Sequence, residues 1–223
     1  MALAGINEQE MRAIARDLAR NVAPLAGNWM LAGSAAMAAV RRRMPHGASN
    51  RFLSDPGAFK QGFDPLGLGS LVKEVSRVLD ARSANSAIDS ILDSWKIDLS
   101  NPMKPWDPIR VEMTEATGYL ALTKGGGNCQ YQAAATFLVL KAAGVKPVDV
   151  IWIFTRSGSP KHAACVIGIH DGFRNPCEPE VAGWRPTAVT ADTWEHDRSE
   201  PASVLAERYS PHEHRFYSFA RHA

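Results

Sequence analysis

Lys124-Gly125-Gly126-Gly127-Asn128-Cys129-Gln130-Tyr131-Gln132-Ala133-Ala134-Ala135-Thr136-Phe137-Leu138 is the stretch that decides the fold. A glycine-rich turn runs directly into an apolar helical segment, which puts Cys129 at the start of a helix. A thiol there meets unpaired N–H groups and the positive end of the helix dipole, a setting that favours a thiolate. The glycines leave no side chains in the way of a substrate and let the backbone approach it closely. Gly144 is placed to stop the helix. Beyond it, Val148 to Thr155 is β-rich and predicts a central strand. Arg156 to Lys161 is a turn and His162 to Ile169 a second strand. His170-Asp171-Gly172 is a hairpin signal, with Phe173 to Pro179 as the returning strand. A helix followed by consecutive antiparallel strands predicts an α+β core.

A nucleophilic cysteine needs a base, and His162 follows Cys129 in the right order. A third group should orient the imidazole through its other ring nitrogen. The candidates are Asp171, Asn175 and Glu178. With a three-residue turn at His170 to Gly172, Ala164 faces Glu178, and Ala164 shares the face of His162. Glu178 is then diagonal to the histidine and within reach of a long side chain. Asn175 falls on the opposite face in that register. Asp171 lies at the turn tip, roughly 25 to 30 Å along the strand. A two-residue turn shifts the register and brings Asn175 to the face of His162. Glu178 is therefore the first choice and Asn175 the alternative. For a developing oxyanion the N–H of Cys129 is the first donor, with Gly127 and Asn128 as the substrate-side loop and Asn128 the nearest side-chain amide.

Upstream, the pattern is helical. Glu8 to Asn21 carries Met11, Ile14, Ala15, Leu18 and Val22 on one face behind a candidate Asn7 cap. Asn28 to Met44 is a second, alanine-rich helix. Pro45 to Leu66 reads as a loop anchored by Phe52, Phe59 and Phe63. Leu71 to Leu79 marks a third helix and Ala87 to Trp95 a fourth. Pro102, Pro105 and Pro108 form a boundary, so residues 1–100 are expected to be a helical N-terminal region and 101–223 the core that carries the site.

A formal net charge of +2 gives no electrostatic footprint for nucleic acid. Arg41-Arg42-Arg43 is a short run of the kind found at a solvated helix end. Three cysteines, Cys129, Cys165 and Cys177, make no disulfide framework for 223 residues. Cys165 and Cys177 face each other in the register that selects Glu178, as a buried pair. His162, Cys165, His170 and Cys177 make a poor zinc set, because His170 sits at the turn tip. The first twenty residues are amphipathic and charged, unlike a signal peptide, so cytoplasmic residence or signal-independent export is expected. Val22 to Val40 is interrupted by Pro24, Gly27, Asn28 and Gly33, whereas a membrane span wants roughly 20 strongly apolar residues. A buried helix is expected there, without membrane insertion. The C-terminal His212, His214 and His222, with Arg215 and Arg221, read as a solvated tail.

The segments Gly-Gly-Gly-Asn-Cys-Gln-Tyr-Gln-Ala-Ala-Ala, Lys-His-Ala-Ala-Cys-Val-Ile-Gly-Ile and Asp-Gly-Phe-Arg-Asn-Pro-Cys-Glu-Pro together resemble the papain-like superfamily. Within it they are similar to the transglutaminase-like and bacterial papain-fold toxin (glutamine deamidase) branches. The resemblance covers residues 116–182. It implies a papain-like core and thioester chemistry at Cys129 with His162 as base, without metal or organic cofactor. It further implies a protein or peptide substrate and an immunity or host partner. Deamidation of a protein glutamine is the expected reaction. Peptide cleavage, transamidation and a non-catalytic interaction module are the alternatives. The usual third residue in the transglutaminase-like branch is Asp, so Glu178 is a departure.

Overall fold

The computed structural model describes residues 6–46, 68–94, 105–169 and 180–223. Among these are six α-helices, α1 (Glu8–Ala19), α2 (Trp29–Arg43), α3 (Leu68–Ser94), α4 (Pro108–Lys124), α5 (Cys129–Ala142) and α6 (Ala202–Arg208). Five strands, β1 (Val148–Thr155), β2 (Pro160–Ile167), β3 (Val189–Ala191), β4 (Glu200–Pro201) and β5 (His214–His222), form one antiparallel sheet in the order β4-β3-β2-β1-β5. The class is α+β.

Local chemistry sets the helix ends. Asn7, Asn28 and Asn128 each accept a backbone N–H three residues on (from Glu10, Leu31 and Tyr131), each at 3.2 Å, capping α1, α2 and α5. Where two helices were expected between Leu71 and Trp95, one 27-residue helix forms. The joining residues, Asp80 to Ser86, contain neither glycine nor proline to interrupt it. Helix α4 was not expected from the proline-marked boundary. Pro108 opens it in the first turn, where its missing N–H costs nothing, and Gly125 at φ 72° ends it. The expected loop anchors Phe52, Phe59 and Phe63 lie outside the described residues.

One apolar cluster joins Ala15 and Ala19 of α1, Met37 and Val40 of α2, Ile88 of α3, Leu120 and Leu122 of α4, Phe137 and Leu140 of α5, and Val150, Cys165 and Ala191 of the sheet. The helices before residue 101 thus share the core of the sheet. Helix α5 runs through its middle, with every residue from Tyr131 to Leu140 buried, and so is covered on every face rather than amphipathic. Gly118 lets α4 approach it: a Cβ there would lie 2.4 Å from the Ala134 carbonyl oxygen. Gly118→Ala is accordingly expected to force the two helices apart and cost about 1–3 kcal/mol. An unchanged urea midpoint would contradict this close packing. A second cluster, built on Ile151, Ile153, Val166, Leu205 and Phe216, fills the space between the sheet and α6. No helix of the described residues is long and apolar enough to cross a membrane.

The C-terminal histidine- and arginine-rich segment is a strand, which corrects its expected role as a solvated tail. His214 to His222 pairs with β1 along its whole length. Its Phe216, Ser218 and Ala220 are buried. Arg221 is buried as well, with Nε donating to Asp149 Oδ1 at 2.8 Å and Nη2 to Asp149 Oδ2 at 3.0 Å. The charges at both ends of this segment disguised the apolar alternation between them.

Candidate functional site

Cys129 is the first residue of α5 and is partly exposed. The glycine turn before it divides its work. Gly125 supplies the left-handed cap of α4. Gly127 makes room for Tyr131, whose Cβ lies 2.6 Å from where a Cβ on Gly127 would be. Gln132, one turn into the helix, donates from Nε2 to the Gly127 carbonyl at 3.1 Å and so fixes the turn against α5. Gly127 is buried, so its lack of a side chain serves packing beneath the turn. The side-chain oxygen of Asn128 is occupied as the helix cap.

His162 is the third residue of β2, paired with Ile153 of β1. The cysteine helix and this strand bring the Cys129 thiol close enough to the imidazole to raise its proton affinity. From the other side, His162 Nε2 donates to Asp192 Oδ2 at 2.6 Å, and both side chains are only 1% exposed. Burial opposes charging the ring. The hydrogen bonds and charges of Asp192 and Cys129 outweigh it and raise the His162 pKa from 6.5 to about 10.

Asp192 takes the place that the hairpin register assigned to Glu178. The strand beside β2 is β3, with Cys165 opposite Ala191 and Ile167 opposite Val189. Continuing that register by one residue sets Asp192 opposite Ala164, diagonal to His162. Asp171, Asn175 and Glu178 lie outside the described residues, as do His170, Cys177 and the expected strand at 173–179. Among the described residues the carboxylate on the ring is Asp192, which follows a strand, Val189–Ala191, lying further along the chain than the expected hairpin. Its sequence signal was the short run Ala188-Val189-Thr190-Ala191 ending in Asp192. Three residues of strand are too few for a period-two pattern to stand out.

The carboxylate is held firmly. Asp192 Oδ1 accepts the backbone N–H groups of Trp194 at 3.1 Å and Glu195 at 3.2 Å, an Asx-type turn. Thr193 bonds to Thr136 of the cysteine helix, Oγ1 to Oγ1 at 2.6 Å. Arg41 of α2 grips the Thr193 carbonyl with Nε at 3.1 Å and Nη2 at 2.8 Å, and reaches Asp197 with Nη1 at 3.0 Å. The turn bearing the acid is thereby tied both to the helix bearing the thiol and to the N-terminal helices. None of these ties was legible beforehand, since each joins residues distant in the chain.

His162, Asp192 and Glu195 offer ligand atoms within 4.8 Å of one another. Both carboxylates are already engaged in hydrogen bonds: Asp192 accepts two N–H groups besides the ring, while Glu195 accepts Tyr209 Oη at 2.9 Å and Arg208 Nη1 at 2.6 Å. The arrangement is a hydrogen-bonded relay. Cys165 has no part in it. It is fully buried and its thiol donates to the Ala133 carbonyl at 3.0 Å, with burial pushing its pKa up.

No protein-family model, curated protein or solved structure matches the chain.

Proposed function

We propose that the chain is a thiol hydrolase or acyltransferase of papain-like architecture, acting on an amide through a thioester on Cys129. The observation that carries this is the line from the Cys129 thiol through His162 to the buried carboxylate of Asp192. Each member supplies one part of acyl-transfer chemistry. Cys129 Sγ attacks the amide carbon as a thiolate, and the carbon–oxygen double bond opens to an oxyanion beside the Cys129 N–H. His162, protonated, gives its proton to the leaving nitrogen, and the C–N bond breaks to leave a thioester. Water then attacks the thioester as His162 takes its proton, and the S–C bond breaks to restore the thiolate. Asp192 holds the ring with one nitrogen toward the acid and the other toward the sulfur, and stabilises its charge.

The resemblance of the cysteine and histidine segments to glutamine deamidases favours a protein glutamine side chain, with ammonia leaving. A bacterial effector or toxin is the setting that the same resemblance suggests. The test is mass spectrometry of candidate target proteins incubated with the wild-type chain and with Cys129→Ala. Deamidation adds about one mass unit at a glutamine, because an NH₂ is exchanged for OH. New termini in place of that gain would assign peptide cleavage to the same residues. Identical products from both chains would remove the thiol from the reaction and with it the proposal.

A further inference from the structure

The imidazole of His162 is enclosed by aromatic rings that the three-residue relay does not explain. Tyr209, just after α6, lies over it with planes 10° apart and centroids 5.5 Å apart. Trp194 approaches at the same centroid distance, tilted by 49°. Tyr209 is itself fixed in orientation. Its hydroxyl donates to Glu195 Oε1, whose other oxygen accepts Arg208 Nη1, and His214 of β5 packs edge-on against its ring. The backbone N–H of Glu195 in turn binds Asp192. One carboxylate side chain therefore sets the Tyr209 ring, while the backbone of the same residue sets the acid.

We propose that Tyr209 is a positioning residue for His162, its ring held by Glu195 so that the imidazole keeps one nitrogen on Asp192 and the other toward Cys129. This rests on the thiol-hydrolase reading of Cys129 and His162. The ring acts in two ways. As a parallel wall it blocks rotation of the imidazole out of the Asp192 line. Its negative π-face also attracts the charged ring more than the neutral one, and a hydroxyl donating to a carboxylate makes that face richer in electrons. The groups facing His162 are Cys129 from α5, Asp192 and Glu195 from the turn after β3, and Tyr209. Arg208 stands behind Glu195 and His214 behind Tyr209, and β1 presents the apolar Ile153. The π-face adds to the raised proton affinity that Asp192 and Cys129 already give the ring.

The experiment is an NMR titration of the His162 ring in the full chain, assigned through His162→Ala, for wild type, Tyr209→Phe and Tyr209→Leu. Iodoacetamide labelling of Cys129 at pH 6 is measured in parallel. Leucine fills space without a π-face. Tyr209→Leu is expected to lower the His162 midpoint by about one unit, a tenfold change in its proton affinity. Tyr209→Phe keeps the ring and loses the tie to Glu195, so a shift of about a third of that size is expected. A leucine variant with the wild-type midpoint would reduce Tyr209 to packing and overturn the proposal. The parent reading fails separately, if His162→Ala labels Cys129 at the wild-type rate.

Discussion

Asp192→Ala is expected to slow iodoacetamide labelling of Cys129 at pH 6 by about tenfold or more. The reason is the stake in the buried pair. His162 and Asp192 are both buried and joined at 2.6 Å, and removing one partner of such a pair leaves the other charge uncompensated, at about 3–5 kcal/mol. The site escapes most of that cost by letting the ring lose its proton. Without the carboxylate, burial, the largest influence on the ring, is opposed by Cys129 alone and pulls its pKa back down from about 10 toward the pH of the assay. Asp192→Asn keeps an acceptor for the ring and should fall between the two. Labelling in Asp192→Ala at the wild-type rate would show that the carboxylate does not control the ring.

The same pair fixes a pH window for stability. The folded-state pKa of His162 is raised above the ordinary 6.5, so its contribution is fully present below 6.5 and is lost as pH rises to about 10. Other groups act outside most of that span. Burial lowers His222 below 6.5, an effect confined to the acid side. Cys165 and the tyrosines Tyr119, Tyr131 and Tyr209 are raised above 9 or 10 and therefore weaken the fold only at the alkaline end. The difference in melting temperature between wild type and His162→Ala should accordingly shrink between pH 6.5 and 9. A constant difference would mean that the ring is neutral throughout.

The second large effect is on folding. Asp149→Ala is expected to destabilise the chain by about 3–5 kcal/mol, since it removes the buried carboxylate to which Arg221 donates from both Nε and Nη2. Asp149 is fully buried and accepts Arg221 twice and the Ser218 hydroxyl once, at 2.6 Å. For a chain of this size each kcal/mol moves the melting temperature by roughly 2–4 °C, so a drop of roughly 6–20 °C is expected. Replacing both partners, Asp149→Leu with Arg221→Met, should recover much of it, because the cost lies in a buried charge that has lost its carboxylate. A single variant within 1 °C of wild type would show that the guanidinium finds water instead.

How far the fold was legible depended on how local each cause is. The start of α5 and strand β1 follow from neighbouring residues, and they lie where the sequence placed them. The diagonal slot beside His162 was also legible, because strand parity alone defines it. Its occupant was not. Glu178, chosen on the assumption that a turn signal closes the nearest hairpin, lies outside the described residues, and the strand that covers Cys165 and Ile167 comes from further along the chain. β3 does so with only three residues. β5 was obscured for a related reason: a buried arginine looks solvated until the distant Asp149 that balances it is known. Tyr209 and Arg41 act across still longer separations and leave no mark in periodicity.

The burial of α5 carries a mechanical consequence. Its ten residues from Tyr131 to Leu140 touch neighbours on every side, and Gly118 leaves no slack against Ala134. Shifting the start of α5 would mean displacing a helix packed on every side, so on the proposed reading Cys129 sits on a firm base. A substrate of the proposed reaction would then have to be brought to the thiol, since the helix that carries it has no free face along which to move.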